Sequence, residues 1–361
     1  PRLHSSTMRV KRESPAAERL DHDYLKNRTC GRAFFARCSS DSETALPLAR
    51  RAATVWHSMM TGSGSAQASR AKRRWYHPLA LARRVFIIAL IGYAGVCGYL
   101  FFNQTEMIYE GSTSPLSVEA ATREAAAAGL VAWECATPGA VGLQGYVQPN
   151  FTSPAPRGTI VFFHGNGESA WLWAEQIAPF TRRGFRVFLY EYPGYGGRPG
   201  VPSEKAIVPD AQALVRSLAK GGYGPLYVWG ESLGSGVAAA VCADKGLPIH
   251  GLTLVTAWDN IANVALSYYP YLPIRPFMID RYDSIANLEN FQQPVCVICG
   301  DEDSTVLPAL SLNLFAHLRG PKKMILMKGY GHGDWPRSPE SPWWDEALDF
   351  IAPQARKQPA K

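Results

Sequence analysis

From Gly158 to Gly329 the chain repeats one pattern: an unbroken apolar run, a polar glycine-bearing loop, then a stretch with helical spacing. The apolar runs read "RGTIVFF", "FRVFLYEY", "PLYVWG", "IHGLTLVTA", "PVCVICG" and "KKMILMKG". They are rich in β-branched and aromatic residues and do not alternate with polar ones. Strands apolar on both faces are covered on both faces, which predicts a largely parallel sheet. Helical stretches near Trp171–Arg183, Glu204–Lys220, Gly234–Lys245, Pro308–Arg319 and Pro342–Ile351 lie between and after these runs. That alternation predicts an α/β architecture with helices on both faces of the sheet. Upstream, "LVAWECATPGAVGLQGYVQP" reads as a hairpin around Pro138-Gly139, preceded by a helix near Pro115–Ala128.

One stretch breaks the pattern. Val85 to Phe102 carries no charge over 18 residues and is apolar on every side. As a helix it covers about 27 Å, close to the roughly 30 Å of a bilayer's hydrocarbon core. Arg83 and Arg84 can snorkel at its start. Lys72, Arg73 and Arg74 also precede it, while Glu106 and Glu110 follow. The positive-inside rule then places the N-terminus in the cytoplasm and the chain after Asn103 on the extracytoplasmic side. No small-residue cleavage motif follows the span, so it is expected to stay as a signal-anchor.

Composition refines this division. The net charge of +7 suggests a nucleic-acid partner, but residues 1–84 hold 17 Lys/Arg against 6 Asp/Glu, and the rest holds 20 against 24. The basic excess therefore sits in the tail, and no nucleic-acid partner is expected for the large domain. The expected organisation is a disordered basic tail over 1–78, an anchor over 79–104, one globular domain over 105–353 and a disordered end over 354–361. Met59 or Met60 is a candidate start within the tail. Seven cysteines at irregular spacing form no disulfide framework, and Cys296-x-x-Cys299 lies on a strand, where positions three apart face opposite sides. These are expected to be small buried hydrophobes. No metal or organic cofactor is implied.

The candidate chemistry begins at "YVWGESLGSG", where Gly230-x-Ser232-x-Gly234 falls at a strand-to-helix junction. Such an elbow lifts a serine out of the sheet on a tight turn, and a β-carbon at either glycine would strike a neighbouring element. The new helix points its dipole and first N–H groups at the reacting oxygen. A serine hydroxyl needs a base, and an acid then a histidine follow it in this order of elements. Of His250, His317 and His332, only His332 sits in a glycine-rich loop after the last strand, "MKGYGHGDW". Asp303, in "CGDEDSTVLP", leaves room for the turn and is preferred to Asp301. Oxyanion donors are expected from the backbone of Leu233 and of Asn166, with Gly167 the alternative to Asn166. His164 is expected to order that loop rather than to act as the base.

These segments resemble the alpha/beta-hydrolase superfamily, and within it the small membrane-anchored abhydrolase-domain branch, which includes protein depalmitoylase-like members. The resemblance runs from about Tyr109 to Phe350. It rests on "HGNGES", "YEYPGYGGRPG", "GESLGSG", "YYPYLPIRPFMIDRYDSIANL", "GDEDSTV" and "GYGHGDW", in that order. It implies the alpha/beta-hydrolase fold with a short cap, a nucleophile at Ser232, an acid at Asp303, a base at His332, and backbone donors at Leu233 and Asn166.

The expected reaction is hydrolysis of a carboxylic ester or thioester through an acyl-enzyme. Because the base must be neutral, the reaction is expected to slow in acid. Trp171 and Trp173 follow the oxyanion loop, and Tyr268 and Tyr269 lie in "SYYPYLP", where a cap would cover the site; these four are the expected pocket. Small esters, lipid esters and acylated proteins are the substrate classes considered. A serine peptidase of the same fold and a non-catalytic membrane-anchored binding protein are the alternatives.

Overall fold

The structure, a computed structural model, describes residues 78–110, 117–134, 142–149, 151–153, 156–334 and 336–353. The tail before residue 78, with Met59 and Met60, the Pro138-Gly139 turn and the end after residue 353 lie outside the described residues.

Eight strands form one sheet: β1 Val131–Glu134, β2 Leu143–Val147, β3 Gly158–Phe163, β4 Phe185–Tyr190, β5 Leu226–Glu231, β6 Ile249–Val255, β7 Val295–Gly300 and β8 Lys322–Met327, in the order β1-β2-β4-β3-β5-β6-β7-β8. β1 and β2 pair antiparallel, as does β2 with β4. Every pairing from β4 through β8 is parallel. The unbroken apolar runs are thus the parallel strands, and alternate residues feed two cores. Val161, Phe163, Val228, Leu254 and Val297 face one core, while Ile160, Phe162, Trp229, Val255 and Ile298 face the other.

The helices are α1 Pro78–Ile108, α2 Val118–Ala127, α3 Ala178–Thr181, α4 Glu204–Lys220, α5 Leu233–Cys242, α6 Ile261–Tyr268, α7 Ile274–Phe277, α8 Ser284–Leu288, α9 Pro308–His317 and α10 Trp343–Ile351. The first core takes α4, α5, α8 and α9, and the second takes α2, α3 and α10. Ser117 caps α2, its Oγ accepting from Ala120 N, and Ser203 caps α4 through Ala206 N.

The structure corrects the expected helix at Trp171–Arg183. Residues Ala170–Gln176 form a 3₁₀ segment, and α3 begins separately with Pro179 in its first turn. A proline inside one continuous helix would lack the N–H for its i−4 bond and would clash with that carbonyl. Between β6 and β7 the chain makes α6, α7 and α8, three short helices that the apolar pattern did not separate.

α1 has no buried residue and is long and apolar enough to cross a membrane. Its 31 residues extend for about 46 Å. Just past its end, Tyr109 is fully buried and its Oη donates to Asp280 Oδ2 at 2.6 Å, with Tyr282 Oη 3.1 Å away. That buried cluster ties α1 to the segment between α7 and α8.

Candidate active site

Four loops converge, each leaving the C-terminal end of a parallel strand, where open α/β sheets gather their ligands. They follow β3, β5, β7 and β8. The loop after β5 is a single residue: Ser232 caps α5 with φ 52° and ψ −116°. Both neighbouring glycines are required by contact. A β-carbon on Gly230 would lie 2.2 Å from Gly234 O, and one on Gly234 would lie 2.0 Å from Phe163 O. Ser232 N donates to Val255 O at 2.9 Å, and Ser235 Oγ to Ser232 O at 2.7 Å, so the turn is fastened on both sides.

Ser232 Oγ lies 3.1 Å from His332 Nε2, and His332 Nδ1 lies 2.8 Å from Asp303 Oδ2. The Asp303 side chain is fully buried, and its other oxygen accepts from Thr305 N at 2.8 Å and Val306 N at 2.9 Å. Three donors thus fix one carboxylate, and that carboxylate orients the imidazole toward the hydroxyl. The alternatives lie elsewhere. Asp301 accepts from Gly329 N, His250 sits on β6 beside Tyr227, and His317 Nδ1 lies 2.8 Å from Asn313 O at the end of α9.

Leu233 opens α5, so its N–H is among the first-turn donors without an intrahelical acceptor. Across from it runs the loop after β3, close enough that a β-carbon on Gly165 would lie 3.6 Å from Ser232 Cβ. Asn166 turns its side chain away: Oδ1 accepts from Gly167 N at 3.0 Å and from Tyr195 Oη at 2.8 Å. His164 is buried beneath, its Nε2 3.1 Å from Glu191 Oε1 and its ring centroid 4.1 Å from that of Tyr192. Glu191 also accepts from Ala170 N at 3.0 Å. His164 is therefore part of the scaffold of the loop that carries Asn166.

The four expected pocket residues divide. Trp173 is buried against Phe162 and donates Nε1 to Glu168 at 2.9 Å, and Trp171 packs half-buried on the same core. Tyr268 donates Oη to Thr305 O at 2.9 Å. Tyr269 lines a groove against α1.

Sequence reasoning missed a pair behind the serine. Arg337 donates to Glu231 Oε1 and to Gln176 Oε1, each at 2.6 Å, and lies 4.7 Å from the Trp173 ring centroid. Burial pushes the Glu231 carboxyl up; Arg337 opposes the rise and Glu168 adds to it. Glu231 precedes Ser232 and Arg337 follows His332 by five residues, so this pair clamps the histidine loop to the elbow. No periodicity or motif links positions 231 and 337; only their meeting in space does.

A sequence-family profile described as the alpha/beta hydrolase fold matches residues 158–275. An uncharacterized protein of Mycobacterium tuberculosis is 31% identical over 253 residues, 69% of this chain and 87% of its own. The lysophosphatidylserine lipase ABHD12 of Danio rerio is 29% identical over 226 residues, 55% of this chain and 59% of its own. Among solved structures, the Pyrococcus furiosus esterase Pf2001 superposes with a TM-score of 0.50 at 16% identity, over 62% of this chain and 91% of that one, a likeness of fold. On the shared sequence and the sheet that carries these loops, the chain belongs to the alpha/beta-hydrolase superfamily, in its abhydrolase-domain branch.

Proposed function

We propose that this chain is a membrane-anchored serine hydrolase that cleaves carboxylic esters of lipids through an acyl-enzyme. The observation that carries the reading is the line of contacts from Ser232 Oγ through His332 to Asp303. In this mechanism Ser232 Oγ attacks the ester carbonyl as His332 Nε2 takes its proton. Asp303 holds the imidazole in the required tautomer and stabilises the imidazolium. The backbone N–H groups of Leu233 and Asn166 receive the oxyanion, an interaction worth about 3–4 kcal/mol per donor in comparable enzymes. His332 then returns the proton to the departing alcohol, and water, deprotonated by the same imidazole, releases the acid.

The lipid assignment draws on two features. The relative ABHD12 is a lysophosphatidylserine lipase, and α1 gives the chain a means to sit on its substrate's bilayer. In the proposed organisation 79–104 is the anchor and 105–353 the hydrolase domain, with the N-terminus cytoplasmic and the domain on the opposite side.

A fluorophosphonate probe tests the nucleophile. The native chain is expected to label covalently, and Ser232→Ala to lose all labelling. Acyl esters, acyl thioesters and aminoacyl amides offered to the labelled-competent protein then separate esterase from peptidase. Labelling that persists in Ser232→Ala, or turnover of amides alone, would reject the reading.

A further inference from the structure

We propose that α1 is a wall of the substrate site as well as a tether: the groove between α1 and the cap, formed by α6, α7 and the chain on to Ile279, takes the acyl chain of a membrane lipid laterally from the bilayer. This rests on the lipid-ester reading above and adds where the chain binds.

The groove runs between the C-terminal half of α1 and the α6–α7 segment, and its lining is almost wholly apolar. Leu100, Phe101 and Ile108 form the α1 side; Tyr269, Leu272 and Phe277 form the cap side. No charged side chain lines it. Its one amide, that of Gln104, is engaged by the cap backbone: Ile279 N donates to Gln104 Oε1 at 2.9 Å and Gln104 Nε2 donates to Phe277 O at 3.3 Å. Apart from the Tyr269 hydroxyl and the Cys97 thiol its remaining lining is apolar, which suits hydrocarbon over a charged headgroup.

Its depth follows from α1. Counted from Val85, after the arginines, a hydrocarbon core of about 30 Å takes roughly twenty residues and ends near Gln104. Leu100 and Phe101 fall inside that stretch. The cap reaches deeper still, because Tyr93 Oη donates to Tyr271 O at 2.9 Å. Tyr93 and Gln104 are eleven residues apart, about 16 Å along the helix, so the cap is fastened to α1 at two heights. Between these heights the cap and helix present Tyr271, 89% exposed, and Phe102, 83% exposed, with Phe277 and Ile279 also outside; the exposed Arg275 among them is bonded to Asn263 Oδ1. Such a surface is costly in water and suited to lipid.

The residue before Tyr269 is bonded to the loop of the proposed reaction centre. Tyr268, beside Tyr269, bonds Thr305 O, and Thr305 N donates to Asp303 Oδ1. The cap wall is thus tied to the loop that carries the proposed acid.

The test uses the full chain with Ser232→Ala, reconstituted in phosphatidylcholine vesicles with a monoacyl phospholipid bearing a diazirine at the end of a sixteen-carbon chain. After illumination, adducts are mapped by mass spectrometry. Adducts are expected on residues 97–108 and 265–278, displaced by excess unlabelled monoacyl lipid, and reduced roughly tenfold by Leu100→Trp and by Leu272→Trp, which fill the groove from either wall. Ile88→Trp, on the exposed outer part of α1, is expected to leave them in place. Adducts spread evenly along α1, indifference to both filling variants, or crosslinks from these residues to a second protein chain would overturn the proposal. Each wall is varied alone, so a variant that fails to fold leaves the other to decide. Because the readout needs no turnover, it stands apart from the fluorophosphonate test: labelling without groove adducts sinks only the groove, and adducts without labelling sink only the esterase.

Discussion

At φ 52° and ψ −116°, Ser232 holds a backbone conformation that side chains rarely adopt and that costs about 1–3 kcal/mol. Nothing about packing demands a side chain there; the proposed chemistry does. Ser232→Gly is therefore expected to stabilise the fold by about 1 kcal/mol while removing hydrolysis, read by thermal unfolding and ester turnover on the same sample. A Ser232→Gly chain no more stable than the native one would mean that the surrounding loops relax around the serine. Its neighbour Glu231 tests burial in the opposite sense. A carboxyl raised on folding stabilises below its unfolded titration range, and that contribution is lost as pH rises through its folded range. Relative to Glu231→Gln, the native chain is expected to lose stability as pH rises above the ordinary carboxylate range of about 4, measured by thermal unfolding in detergent.

Among elements, the loop after β8 has the hardest task, since it must hold an imidazole 3.1 Å from a hydroxyl 100 residues away. Asp303 orients the ring from one side, and the Arg337–Glu231 contact holds the far end of the loop against the elbow. In the proposed mechanism Arg337 acts through His332, as a positioning residue. Arg337→Ala is expected to lower kcat roughly tenfold with KM little changed, and to slow fluorophosphonate labelling in step. Arg337→Lys keeps the charge but not the two-pronged hold on Glu231 and Gln176, so partial recovery is expected. A change confined to KM would place Arg337 in substrate binding instead. The Tyr109–Asp280–Tyr282 cluster does for α1 what this clamp does for the loop, joining the helix end to the cap through buried hydroxyls.

For the molecule as a whole, two apolar cores sandwich the sheet, while α1 remains without a buried residue. A helix apolar all round, covered only along part of its C-terminal half by the cap, calls for lipid over the rest. With the proposed orientation, protease added outside intact cells or spheroplasts is expected to digest the hydrolase domain and spare the N-terminal side. Full protection of the domain would reverse the orientation and leave the anchor intact.

The fold was legible in the sequence because its physical causes are local. Both-face burial writes an unbroken apolar run such as "VCVIC", and the glycines at 230 and 234 record a crowding that only a missing β-carbon satisfies. Ser232, Asp303 and His332 could be picked out because each follows its own strand, and the sheet's parallel order brings such loops to one edge. The split near Pro179 was not legible from proline alone, since α4 runs unbroken through Pro209. The Glu231–Arg337 clamp, the burial of Trp173 and the groove between α1 and the cap depended on tertiary structure. Glu231 and Arg337 are 106 positions apart and the two groove walls more than 150, with no spacing rule between them, so charge, burial and shape acquire meaning there only after the chain has folded.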